Sequence, residues 1–269
     1  MKRITGIYMA GALLAAAGVS PALAGPWYGD QFSADITMVS TKDRSNAAQG
    51  KIFVGTDWVR AEGHHGGQSK VVLMNPTKKA AWTMDPAART FHRGLGDAPP
   101  PMAPDEEVMP SDPESPCKTQ QETRCQLAGN EQINGRQTEK WTITRSHQGQ
   151  SMQMTMWVDP ALHIIIRREF QNGPTMNRVF KGIQEVQGRS TEVWEITHSF
   201  KEKSQTLTQW VDRPLKMVVG MSGAGDYTMS LTNIQVGPQP ASLFQIPRDF
   251  QEVQPPKPKE QQGQGSYRR

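Results

Sequence analysis

This sequence predicts a mainly β protein, α+β at most, built on one long, curved antiparallel sheet; three observations carry that reading. Alternating or β-branched runs recur at short intervals, as in Phe32 to Ser40, Lys51 to Val54, Lys70 to Met74 and Ala80 to Met84. Gly, Asn, Asp and Pro separate them. No segment beyond the first residues keeps an apolar i, i+3, i+4, i+7 pattern over a helical length. The third observation is a spacing: a whole set of residues returns 53 positions later.

Taken from the start, Lys2 and Arg3 precede an apolar run from Ile4 to about Val19, which closes on Ser20-Pro21-Ala22-Leu23-Ala24. A basic start, a short apolar middle and an A-x-A exit predict a signal peptide over residues 1–24, cleaved after Ala24. The mature chain is then expected to begin at Gly25 in the periplasm. Without Lys2 and Arg3 the formal charge falls from +4 to +2. Such a balance lacks the concentrated basic stripe that nucleic acid requires.

Residues 25–93 read as the N-terminal part of the sheet. They carry Gly50-Lys51-Ile52-Phe53-Val54, Asp57-Trp58-Val59-Arg60-Ala61-Glu62, Val71-Val72-Leu73-Met74-Asn75-Pro76 and Ala81-Trp82-Thr83-Met84-Asp85-Pro86, closing on Arg89-Thr90-Phe91. Residues 94–126 form a Pro-rich excursion with the two cysteines. Seven prolines between Pro99 and Pro116 keep it out of a ladder. Cys117 and Cys125 read as a disulfide closing a small loop in an oxidising compartment. Two thiols with no histidine nearby make a poor metal site.

Residues 127–250 hold the repeat. Gly135-Arg136 returns as Gly188-Arg189, Thr138-Glu139 as Thr191-Glu192, Trp141 as Trp194, and Trp157-Val158-Asp159 as Trp210-Val211-Asp212. Each copy reads as a meander of about four strands, and neighbouring copies can share one sheet. Asn134-Gly135 and Gln187-Gly188 sit where a tight hairpin needs positive φ. Asp159-Pro160 and Arg213-Pro214 end strands. Residues 251–269, rich in Pro, Lys, Gln and Gly, are expected to be disordered.

At these residues the chain resembles the outer-membrane lipoprotein carrier superfamily, the LolA/LolB-like envelope proteins, and above all its uncharacterised periplasmic relatives. The likeness lies in G-x-I-x-V with W-V-R-x-E, in V-x-L-M-N-P with W-x-M-D-P and R-T-F, and in a Cys pair ahead of N-G-R-x-T-E-K-W and W-V-D-P. It lies also in Ser242-Leu243-Phe244-Gln245-Ile246-Pro247 with Phe250. The resemblance implies an incomplete β-barrel whose apolar concave face holds acyl chains or a partner's apolar segment. The second 53-residue copy and the absence of a clear lid helix set this chain apart from the better-known carriers.

Met152, Met154 and Met156 alternate, so in a strand all three share a face with Val158. Methionine is flexible and polarizable, which suits irregular apolar ligands. The same pattern fits plain core packing, or a cuprous ion held by thioethers. The spacing of 53 speaks against copper, because Gln205, Leu207 and Gln209 stand at the matching positions. With Trp157, Trp210 and Leu207 these methionines make the candidate ligand-binding set. His64-His65 read as a loop tip, and the other histidines have no metal spacing. No nucleophile elbow, H-E-x-x-H or phosphate-cradling loop is present. The expectation is a non-catalytic binding protein for a lipid or for the acyl or apolar part of an envelope partner. It uses no cofactor or metal, and its contact with a membrane is peripheral or transient. The alternative is an envelope scaffold whose sheet is fully packed and whose edges or Pro-Lys tail meet partners.

Overall fold

The computed structural model describes residues 28–42, 47–65, 68–75, 78–95, 108–113, 115–147, 150–224 and 227–255. The expected signal peptide, most of the Pro-rich excursion and the last 14 residues lie outside the described residues.

Six strands come first: β1 Phe32–Ser40, β2 Ala47–Val54, β3 Val59–His65, β4 Gln68–Asn75, β5 Ala80–Asp85 and β6 Thr90–Arg93. A single helical turn, α1 Pro116–Thr119, leads into β7 Thr123–Ile133, so Cys125 stands inside the sheet. Then follow β8 Arg136–His147, β9 Gln150–Asp159, β10 Ile164–Phe170, β11 Thr175–Val186, β12 Arg189–Phe200, β13 Lys203–Asp212, β14 Met217–Ala224 and β15 Tyr227–Val236. A short 3-10 turn at Ala241–Phe244 precedes β16, Gln251–Glu252. His64 and His65 end β3 rather than sitting free at a loop tip, and His64 Nδ1 lies 3.0 Å from Ser69 Oγ.

The sixteen strands of the described residues form one curved sheet that does not close into a barrel, as the sequence led one to expect. Its order is β16-β6-β5-β4-β3-β2-β1-β15-β14-β13-β12-β11-β10-β9-β8-β7. Neighbours are antiparallel except β16, which adds parallel to β6. The two strand groups meet where β1 pairs with β15. The chain then returns to the first group: Phe244, Ile246 and Phe250 pack on Val71, Leu73 and Met84. Val253 N–H donates to Phe91 O, so pairing continues past residue 251, where disorder was expected to start.

The turns explain why the strands end where they do. Asn134 (φ 52°) and Gly135 (77°) form one hairpin, Gln187 (52°) and Gly188 (74°) the other; both central residues have the positive φ of a type I′ turn. A second device recurs four times. Asn75, Asp85, Asp159 and Asp212 each accept a backbone N–H two or three residues on, and the residue four positions on, Lys79, Arg89, His163 or Lys216, takes positive φ.

Several of the same bonds are made 53 residues apart. Thr138 donates to Glu131 O as Thr191 does to Gln184 O. Trp141 donates to Glu139 as Trp194 does to Glu192. Arg136 pairs with Asp159 as Arg189 pairs with Asp212. The hairpin tips also reach three strands across the sheet alike: Asn134 Nδ2 donates to Arg178 O, and Gln187 Nε2 to Leu231 O.

Cys117 and Cys125 are joined as a disulfide, with Cα atoms 5.5 Å apart. It ties α1 to β7. Replacing both cysteines with serine is expected to cost somewhat under the ~3 kcal/mol of a 15-residue loop, because the closed loop is shorter. Urea unfolding measures the loss. Two free thiols on labelling denatured, unreduced protein would refute the pairing.

Candidate apolar binding site

The strand β9 divides the expected site residues by parity. Met156 and Val158 are buried in a cluster with Ile165, Met176 and Ile196, and Met154, Leu207, Trp141 and Ile143 pack around it. Met152 lies at the outer end of the same row, 38% exposed. Met154, Met156 and Leu207 are therefore brought together, with Met152 leading from them toward solvent. Trp157, one residue on, points from the opposite side of the strand.

One member of the cluster comes from outside the sheet. Met109, from the Pro-rich segment, is 2% exposed and sits among these side chains. Its own N–H donates to Asp112, and Ser115 caps α1, which the disulfide fixes to β7. Part of this methionine face is thus covered by the chain itself. Nothing in the local pattern of a Pro-rich stretch marks one methionine for return to the sheet. Met176 and Ile196 were likewise missed, although each stands on the face that alternation assigns it.

Basic residues flank this face. Arg168 pairs across with Met156 and Met176, and His198 lies opposite Met176. Burial, and then the guanidiniums of Arg168 and Arg178, hold His198 below the ordinary histidine value. The positive charge of these two guanidiniums disfavours a cation there. Among the described residues no three His, Cys, Asp or Glu side chains gather as a metal site.

Trp157 is held in a charged lattice. Its ring lies 5.1 Å from Arg167 Cζ and 5.2 Å from Lys140 Nζ. Glu131 accepts Trp157 Nε1 at 2.7 Å and Lys140 at 2.6 Å. Those two bonds, Lys140 first, hold the Glu131 carboxyl below its usual range. Trp210, its counterpart, donates to Gln184 Oε1 at 2.8 Å and packs on the cluster of Phe32, Leu215, Met217 and Val219. It also borders a cavity of about 350 Å³. The six expected residues thus fall into three places: the methionine face, the Trp157 lattice and the Trp210 cavity.

No protein-family model matches the chain, and no curated protein does. Solved structures do. An outer membrane lipoprotein-sorting protein domain from Vibrio parahaemolyticus is 11% identical, covering 80% of this chain and 89% of that one at a TM-score of 0.34. A DUF1329 family protein from Desulfovibrio piger is 12% identical, with 81% and 90% covered at 0.34. The hypothetical lipoprotein YmcC from Escherichia coli is 12% identical, with 81% and 88% covered at 0.26. The likeness is a distant one.

Proposed function

We propose that this chain is an exported envelope protein that binds a lipid, or the acyl or apolar segment of an envelope partner, and performs no chemistry. One observation carries the reading. The face of Met154, Met156, Met176 and Leu207 receives a flexible, unbranched apolar side chain, that of Met109, from a segment outside the sheet. A surface that buries such a chain end from its own sequence offers the same contacts to an alkyl chain, and methionines adapt to irregular shapes. Met152 extends that surface outward. The Cys117–Cys125 disulfide supports export, since such bonds persist in oxidising compartments.

Native mass spectrometry of protein recovered from its own envelope, followed by lipid extraction, tests the proposal. Co-purifying lipid is expected in the wild type, lost in Met154→Asp without unfolding and increased in Met109→Ala. The scaffold reading draws support from the depth of burial, since Met156 and Met176 are 5% and 4% exposed beneath Met109. A ligand-free protein that ignores fluorescent fatty-acid probes would sink the carrier reading and favour the scaffold.

A further inference from the structure

Positions 53 apart diverge sharply around one pair of tryptophans. About Trp157 stand Glu131, Lys140, Arg167 and Glu169; about Trp210 stand Gln184, Val193, Gly220 and Ser222. The registers agree: Arg167 lies opposite Trp157 and Asn177, as Gly220 lies opposite Trp210 and Ser230. All four charges are gone from the second place. Arg167, which covers the first indole, has become a residue without a side chain.

The result is space. Where the first ring is 6% exposed beneath its two cations, the second is only half-buried and borders the cavity of about 350 Å³. Gly220 matters directly: a β-carbon there would stand 3.2 Å from Trp210 Cε3, so the glycine keeps that side of the indole clear. Val186, from the hairpin tip that Gln187 ties to Leu231, also lines it, with Val219 and Met229. Its volume lies at the lower end of the ~300–1,000 Å³ usual for ligand pockets.

We infer that the cavity bordered by Trp210, Val186, Val219 and Met229 is a binding site for an uncharged hydrocarbon tail, such as the end of an acyl chain. Among the described residues the lining holds no charged side chain. A cation over the first ring has Glu131 and Glu169 as neighbours; Gln184 and Ser222 offer a cation no such charge. A peptide would bring N–H and C=O groups needing partners, and the exposed wall of this cavity is almost wholly apolar. A hydrocarbon tail asks for no hydrogen bond. The site is separate from the methionine face, so either can stand without the other.

Quenching of tryptophan fluorescence by bromine, which acts at contact range, tests the inference on the full mature chain. The probes are ω-bromododecanoate in solution and vesicles of phosphatidylethanolamine and phosphatidylglycerol with brominated acyl chains. Quenching is expected in the wild type and in Met154→Asp. In the Met154→Asp background, where the methionine face and the Trp141 beside it no longer contribute, it should vanish on adding Trp210→Phe or Gly220→Arg, which rebuilds the cover that Arg167 gives Trp157. Near-ultraviolet circular dichroism checks that each variant is folded, and Trp210→Phe decides alone if Gly220→Arg is not. Quenching by the free acid alone means a tail taken from solution, and quenching by vesicles means one taken from a bilayer; both support the site. Quenching that persists unchanged when Trp210→Phe is added to Met154→Asp, or none in the wild type, would overturn it. Loss in Met154→Asp with retention in Gly220→Arg would overturn it too, while sparing the methionine face.

Discussion

Replacing Trp194 with alanine is expected to destabilise the protein by ~3–5 kcal/mol, the range for a buried aromatic truncated in a core. Trp194 is 1% exposed and packs with Ile164, Ile166 and Val211. Its ring lies 5.3 Å from that of Phe180, and the guanidiniums of Arg136 and Arg213 lie 5.9 and 6.0 Å from its centroid. Its N–H satisfies Glu192. All of these contacts go at once, in a fold whose whole stability is of the order of 5–15 kcal/mol. Trp141, 53 residues earlier, makes the matching bond to Glu139 but is only half-buried. Trp141→Ala should therefore cost clearly less. Urea unfolding of the two variants compares them directly, and equal losses would contradict the burial argument.

Asp212→Ala is the second large effect, at ~3 kcal/mol, the lower end of the cost of stranding one partner of a buried ion pair. The carboxylate is 1% exposed; it takes the Nε–H of Arg189 and, through its other oxygen, the N–H of Leu215 at 3.1 Å. The alanine removes the turn acceptor and the charge together. The estimate stays low because Arg189 is 25% exposed and can recover water. Asp159→Ala, which removes the matching pair with Arg136, should cost a similar amount. The two losses should add, because the pairs share no partner. Thermal unfolding of both single variants and the double variant tests this, and a double variant no worse than either single one would refute it.

Much of the fold was legible because it rests on local chemistry. Asn134-Gly135 requires its hairpin, and the Asp-Pro turns stop their strands. The pairing of β1 with β15 was not legible, since no turn links them and register across such a distance leaves no local mark. The candidate site was legible in part. Alternation alone puts Met152, Met154 and Met156 on one face; the same alternation separates Trp157 from them, and grouping it with the methionines overlooked its parity. Trp210 could have been singled out by comparing positions 53 apart, where Gly220 stands at the place of Arg167. Met109 could not, because a single side chain returning from a Pro-rich segment has no periodicity.

The β1–β15 seam has a consequence for how the chain acquires its structure. Asn233 Nδ2 donates to Asp35 across 198 residues. The hairpins of β7 to β14 need only near neighbours and can zip as soon as they are made, whereas contacts of high sequence separation fold slowly. The first six strands cannot seal the inner border of their sheet until almost the whole polypeptide has emerged. During that interval β1 offers an unsealed rim to any other chain, the kind of surface that invites misassembly. Synthesis halted shortly before residue 227 would leave that rim permanently bare, so truncation products ending there should precipitate while ones ending after residue 255 stay in solution.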